Sequence, residues 1–249
     1  MIALVTGGSS GVGKAICRLL DKNQYNVVNV DKSPHAKEGD SVEWKVACRS
    51  SSSIPSGYPR FEPCDVAAEP GKLADIIEYY KPPVLVNNVG ILPLQGFMEQ
   101  TVEDFDLIMN TNFRAAVFAT QAALKYMLPT GRGHIVNVAS ACAMHADPNV
   151  PVYGATKAAV KHFTESIAGL FSWDGIRCNC VCPGYVNTKL CDDAEFVPSM
   201  LGAVPGGQIL EPEDVAEVVL FILQTPGLNG AAILMDQGKM HGRHLTRKL

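Results

Sequence analysis

Tyr153 and Lys157 stand four positions apart in Tyr153-Gly154-Ala155-Thr156-Lys157, and Ser140 closes an apolar run thirteen residues before the tyrosine. On a helix, that spacing puts phenol and ammonium on one face, one turn apart. A free phenol, with a pKa of about 10, is a reluctant base at neutral pH. A neighbouring ammonium favours the phenolate and lowers that value. Bringing it to about 7 takes roughly 4 kcal/mol of differential stabilisation, within reach of a close, partly desolvated cation. A tyrosine so tuned can take or return the proton of a substrate hydroxyl. Ordinary amphipathic helices also carry this pair, so its meaning depends on the rest of the chain.

A second group of residues suits a phosphate. Thr6-Gly7-Gly8-Ser9-Ser10-Gly11-Val12-Gly13 lies between an apolar run and a helical pattern. In such a turn Gly7, Ser9, Ser10, Gly11, Val12 and Gly13 let the backbone approach a pyrophosphate, and helix N-terminal amides meet its charge. A plain strand-to-helix turn is the other reading of this loop. Asp31 ends the next apolar run, eighteen residues after Gly13. A carboxylate there can accept both hydroxyls of an adenosine ribose and repel a 2′-phosphate, which favours NAD over NADP. Lys32 follows directly and is placed to blunt that repulsion.

The elements that must hold these residues alternate along the chain. Apolar runs at Ile2–Val5, Val27–Val30, Val84–Val86, Ile135–Val138 and Arg177–Val181 read as strands, with Phe61 opening another that ends near Asp65. Helical patterns cover Gly11–Leu20, Leu73–Tyr80, Val102–Met127, Val152–Phe171 and Glu213–Leu223. Short apolar strands separated by helices predict a single α/β domain: a Rossmann-like, doubly wound parallel sheet with helices on both faces. The stretch from Ser33 to Pro63, with its serine run and prolines, reads as an irregular or shortened helix and a surface loop.

Composition narrows the class. The 249 residues, 47% of them hydrophobic, are enough for one substantial core. Net charge is −4, from 21 basic and 25 acidic residues without a basic block, so nucleic acid is not an expected partner. No apolar run is long enough to cross a bilayer. Because Met1-Ile2-Ala3-Leu4-Val5 runs straight into the glycine turn, no signal peptide is expected. The eight cysteines contain no CxxC pair, and Cys178, Cys180 and Cys182 alternate on one strand face. They read as small buried thiols of a reducing cytoplasm, with no metal site expected. The terminal Arg247-Lys248-Leu249 is a weak match to a peroxisomal address.

In combination these residues resemble the short-chain dehydrogenase/reductase family in its form of about 250 residues, over nearly the whole chain. The motifs that carry the resemblance are the Thr6–Gly13 turn, Asp65-Val66, Asn87-Asn88-Val89-Gly90, Asn112, Ser140 with Tyr153 and Lys157, and Pro183-Gly184-Tyr185-Val186-Asn187-Thr188. The resemblance implies a dehydrogenase that interconverts a secondary alcohol and a ketone. Tyr153 would be its general base or acid, with Ser140 donating to the substrate oxygen. It implies that Lys157 also holds the nicotinamide ribose and that Asn112 holds a water relaying protons from Lys157, although Asn112 also suits a purely structural helix-kink role. Asp65 and Val66 would contact adenine, Asn87 and Gly90 would line the cofactor, and Pro183, Val186 and Thr188 would face the nicotinamide. The resemblance further implies a substrate lid at about 189–210, and a homodimer or homotetramer built on the long helices. Phe196, Met200, Leu201 and Val204 give that lid an apolar character.

Two stretches are most similar to the 15-hydroxyprostaglandin dehydrogenase-like branch, but Val150 replaces that branch's substrate-contacting glutamine. Prostaglandin is therefore not an expected substrate. At the C-terminal end Asp236-Gln237-Gly238 stands where the family often has Asp-Gly-Gly. The alternatives are an NADPH-dependent ketoreductase and a catalytically silent NAD-binding scaffold or redox sensor. His145, between Ser140 and Tyr153, is read as a loop residue rather than an acid.

Overall fold

Strand alternation organises the molecule. In β1 (Ile2–Thr6) Leu4 faces one side of the sheet while Ala3 and Val5 face the other, all fully buried. The same two-residue period divides β2 (Asn26–Asp31), β5 (Val84–Asn87) and β6 (Gly133–Val138) between two cores. In this computed structural model, the residues described are 1–33, 45–46, 59–188, 190, 204 and 208–238.

The remaining strands are β3 (Lys45–Val46), β4 (Arg60–Pro63), β7 (Ile176–Pro183) and β8 (Ala232–Met235). All neighbours are parallel in one sheet of order β3-β4-β2-β1-β5-β6-β7-β8. On one face α2 (Pro70–Tyr80), α4 (Ala115–Thr130) and α5 (Pro151–Phe171) cover a core containing Leu4, Ile76, Leu85, Met127 and Ile135. On the other, α1 (Gly11–Lys22) and α6 (Pro212–Gln224) cover Val5, Ile16, Val86, Val136 and Val219. Each such aliphatic side chain contributes about 2 kcal/mol by leaving water. The Rossmann-like doubly wound fold expected from the pattern is the fold observed. Its order reverses between β1 and β5, which opens the crevice where such sheets bind ligands.

The long helical pattern from Val102 is not one uniform helix. It comprises α3 (Val102–Met109), a π-helical turn at Asn110–Arg114, and α4. An inserted residue widens the turn and changes which side chains point inward; Thr111 and Asn112 become buried there. Strand β8 has no counterpart among the expected elements. It forms because β7 offers an open parallel edge, to which Cys180, Val181 and Cys182 bind Ala232, Ile233 and Leu234. Most of the irregular stretch after Ser33, most of the expected lid and the final three residues lie outside the described residues. Among the described residues, no helix is long and apolar enough to cross a membrane.

At the N-terminal ends of β6 and β7, opposite the crevice, His134 is buried against Arg177 and Asn179. The Arg177 guanidinium donates to His134 Nδ1 at 2.8 Å and to the carbonyls of Thr225 and Leu228 at 2.8 and 3.0 Å. Burial, reinforced by the Arg177 charge, pushes the His134 pKa down to about 3. The unfolded histidine titrates at about 6.5, so between those values the unfolded chain binds a proton that the folded chain refuses. This contribution to stability is complete at neutral pH and declines as pH falls below about 6.5. From pH 7 to pH 5 the loss is about 2 kcal/mol. Urea titrations at both pH values should show His134→Gln losing about 2 kcal/mol less than the parent chain across this interval. Equal losses would show that His134 does not cause the acid sensitivity.

Candidate active site

The predicted site residues gather at the C-terminal ends of the strands, the edge where open α/β sheets bind ligands. The turn after β1 is held closed by the interior. Asn29, fully buried in the middle of β2, accepts from Gly8 N at 2.8 Å and donates to Ser9 Oγ at 2.9 Å. Asn88 donates to the carbonyls of Thr6 and Gly7, each at 3.1 Å. A Cβ on Gly13 would collide with the Gly7 carbonyl and the Asn88 amide, so only glycine lets α1 start this close to the strand. No side chain caps α1, and its first turn carries no acid. Its leading N–H groups, with the helix dipole behind them, therefore suit a phosphate. Ser9 and Ser10 lead into the helix, and Gly11, Val12 and Gly13 form its first turn.

Asp31 ends β2 with both carboxylate oxygens on backbone donors: Ser9 N at 3.0 Å and Lys32 N at 2.7 Å. Lys32 points elsewhere, its Nζ 2.7 Å from Asp65 Oδ2. Asp65 also accepts from Ala67 N and Ala68 N, while Val66 is buried in the core. The Asn87 side chain turns into the interior, donating to Asn137 at 2.8 Å and Thr120 at 3.3 Å. Asn137 in turn donates to Thr164 of α5 at 2.8 Å.

Ser140, Tyr153, Lys157 and Asn112 are brought to one end of the sheet by β6, α5 and the π-helical turn. After β6 the chain enters a short 3-10 turn at Ala141–Ala143, where Ser140 Oγ accepts from Cys142 N at 3.2 Å. That turn packs on the start of α5, with Cys142 beside Gly154, so Ser140 and Tyr153 share one end of the sheet. Pro151 occupies the first turn of α5, where its missing N–H costs nothing. One turn on, Lys157 is buried, donates to the Val138 carbonyl at 3.0 Å, and has its Nζ 5.8 Å from the centre of the Tyr153 ring. Asn112 accepts from Ile91 N at 2.8 Å and donates to Ile91 O at 3.0 Å and Thr156 Oγ1 at 3.2 Å. A Cβ on Gly90 would stand 3.1 Å from Lys157 Nζ and 3.5 Å from Asn112 Oδ1, so Gly90 makes room for both.

Beyond β7, Pro183 ends the strand and Val186 pairs with Leu210 as an isolated parallel bridge. Asn187 N donates to Leu210 O, and Leu210 N donates to Tyr185 O. The two feet of the expected lid are thereby joined. Thr188 lies over the phosphate turn, with Cγ2 3.1 Å from the place of a Cβ on Gly11. His145 is exposed. Cys178, Cys180 and Cys182 are buried free thiols, as the alternation suggested. Asn29, Asn88 and Thr156 hold the site together without appearing among the expected residues. The available signal was an asparagine inside an apolar strand, Val27-Val28-Asn29-Val30, because a buried amide needs a partner.

Known proteins share this sequence pattern and fold over most of the chain. Residues 1–195 match the family model described as short chain dehydrogenase. The 2-(R)-hydroxypropyl-CoM dehydrogenase of Xanthobacter autotrophicus is 32% identical over 246 residues, covering 94% of this chain and 96% of that protein. Gluconate 5-dehydrogenase of Gluconobacter oxydans is 30% identical over 247 residues, covering 95% and 93%. Among solved structures, a tyrosine-to-phenylalanine variant of ElxO with NADPH bound is similar at a TM-score of 0.80. It shares 27% identity, with coverage of 96% of this chain and 98% of that one. Ligand-free aldohexose dehydrogenase of Thermoplasma acidophilum reaches 0.79 at 25% identity, covering 96% and 94%.

Burial pushes the Lys157 pKa down from 10.5 to about 8. Between those values the unfolded chain keeps a proton that the folded chain releases. Below pH 8 folding must therefore bury the charge at a cost of about 3 kcal/mol, which fades as pH rises from about 8 towards about 10.5. Lys157→Met should stabilise the chain by about 1–3 kcal/mol at pH 7, the lost bond to Val138 accounting for the lower end. The gain should shrink by pH 10. Urea titration of both proteins decides the matter; a variant no more stable than the parent at pH 7 would contradict it.

Proposed function

The chain belongs to the short chain dehydrogenase family, an NAD(P)-dependent alcohol dehydrogenase or ketone reductase by that membership, and from this we propose an NAD(H)-dependent enzyme that interconverts a secondary alcohol and a ketone. The observation that carries the proposal is Lys157, buried one helical turn from Tyr153 and held by the carbonyl of Val138, two residues before Ser140. When bound, the nicotinamide cofactor supplies the acceptor or donor of hydride. The protein's own residues handle the proton and the developing charge.

In the oxidative direction Tyr153 takes the hydroxyl proton, and the Lys157 ammonium beside its ring favours the phenolate. Ser140 Oγ already accepts from Cys142 N, which leaves its hydrogen for the substrate oxygen as charge develops there. Asn112, beside Gly90 and Lys157, is proposed to hold the water through which Lys157 exchanges protons. The cradle at Gly7, Ser9, Ser10, Gly11, Val12 and Gly13 would hold the pyrophosphate. Asp31 would accept the ribose hydroxyls, Asp65 and Val66 would border adenine, and Asn87 and Gly90 would shape the wall behind the cofactor. Pro183, Val186 and Thr188 would face the nicotinamide.

The preference for NAD rests on Asp31, whose carboxylate is paired with no cation among the described residues. The competing NADPH-dependent reading draws support from the ElxO neighbour. Oligomers are proposed from exposed apolar side chains on and beside the outer helices, including Phe105, Leu107, Phe118, Leu170 and Trp173. The free thiols favour the cytoplasm.

A panel of secondary alcohols and ketones, followed by NADH absorbance, tests the reaction. Tyr153→Phe should lower kcat/KM at least a hundredfold, in keeping with loss of general acid-base catalysis, while NADH still binds. Turnover unaffected by that change would remove Tyr153 from the mechanism. Sedimentation at micromolar concentration should show a dimer or tetramer, and a monomer would refute the assembly.

A further inference from the structure

Lys32 and Asp31 are neighbours in sequence but are separated in charge. The Lys32 backbone N–H caps Asp31 Oδ1 at 2.7 Å, whereas its ammonium reaches across to Asp65 on the adjoining strand end. The sheet register produces this arrangement. Asp31 of β2 is opposite Pro63 of β4, and Cys64 N donates to Asp31 O at 2.9 Å, which sets Asp65 beside Lys32. Asp65 is itself fixed. Oδ1 accepts from Ala67 N at 3.0 Å and Ala68 N at 3.2 Å, and Asp65 N donates to Glu69 Oε2 at 3.0 Å. Burial opposes its ionisation, but Lys32 and the two backbone donors outweigh that and hold the carboxyl below its usual range. Asp65 is thus a rigid anion, and Lys32, with 64% of its side chain exposed, is the flexible partner.

We propose that Asp65 is a specificity-determining residue for the dinucleotide: it holds the Lys32 ammonium away from the ribose corner, so that Lys32 does not offset the repulsion between Asp31 and a 2′-phosphate. This rests on the reading of Asp31 as the ribose acceptor. A 2′-phosphate entering that corner meets the Asp31 carboxylate, and the ammonium of the adjoining Lys32 is already paired with Asp65. Releasing Lys32 would give the phosphate a partner on a flexible four-carbon stem without altering Asp31. The ion pair is exposed, so the effect is modest in size. It acts on the difference between two cofactors that share every other group, and that difference is the quantity that sets selectivity.

The test is titration of the intact protein with NADH and with NADPH, followed by fluorescence, in four proteins: parent, Asp65→Asn, Lys32→Gln and the double variant. The parent should bind NADH more tightly. Asp65→Asn keeps the side chain's size and an oxygen for the Ala67 and Ala68 donors; it should narrow the NADH preference about threefold to tenfold. The double variant should return to within about twofold of the parent's preference, because the released cation is gone. Lys32→Gln alone, at an exposed position, should also stay within about twofold. An Asp65→Asn protein that weakens both cofactors equally, or whose preference is unchanged, overturns the proposal. So does a Lys32→Gln protein that discriminates more strongly against NADPH, since Lys32 would then already serve the phosphate. A parent that prefers NADPH overturns the reading of Asp31 instead.

Discussion

A sheet covered by helices on both faces leaves the polar side chains of its strands no water, so each must find its partner within the protein. Three fully buried asparagines meet this demand in the same manner. Asn29 binds the Gly8–Ser9 turn, Asn137 binds Asn87 and Thr164, and Asn179 binds the backbone at Leu228 and Ala231. Each ties its strand to a neighbouring strand, helix or turn. Position in the sheet is thereby converted into position of the surrounding loops. The glycine turn after β1, the end of β5 and the approach to β8 all depend on amides whose removal would leave buried donors or acceptors unmet.

The sheet end beside Tyr153 adds a burial of a costlier kind. Lys157 carries its ammonium into a place where burial pushes its pKa down to about 8. One carbonyl, Val138 O, receives it. A carbonyl, unlike a carboxylate, leaves the positive charge uncancelled and able to act on the neighbouring phenol. A carboxylate in that place would stabilise the lysine and spend its influence on Tyr153. The π-helical turn serves the same corner, because it turns Asn112 inward against Ile91 and Thr156, next to Gly90.

Much of this was legible from local signals. Alternating short apolar runs and helical stripes pointed to the parallel sheet, and Ser140, Tyr153 and Lys157 stood out because their spacing carries chemistry. Asp31 did so because it ends an apolar strand. Asn29 gave half a signal: an amide inside the apolar strand Val27-Val28-Asn29-Val30 announces that it needs a partner, but only the fold reveals that Gly8 is that partner. Strand β8 was equally hidden, since four residues have little period of their own and Ala232–Met235 is specified by the open edge of β7. The π-helical turn showed only through Asn112, which also suited a helix kink; the pattern from Val102 to Met127 otherwise read as one helix. Features set by contacts between distant segments escape a reading based on neighbours.

The joined feet of the segment between Asn187 and Leu210 have a meaning for how such a protein changes over generations. Val186 pairs with Leu210, Asn187 binds the Leu210 carbonyl, and the Asn187 amide donates to Glu211 at the head of α6. The chain therefore leaves the sheet edge and returns to it at one fixed point, like a bracelet on a clasp. Closing a longer loop on such a clasp costs little, about 0.6 kcal/mol for each doubling of its length. Insertions, deletions and wholesale replacement between the feet can proceed while Tyr153, Lys157 and the phosphate turn keep their places. The clasp separates a stretch of chain free to vary in length from the sheet end that carries Ser140, Tyr153 and Lys157.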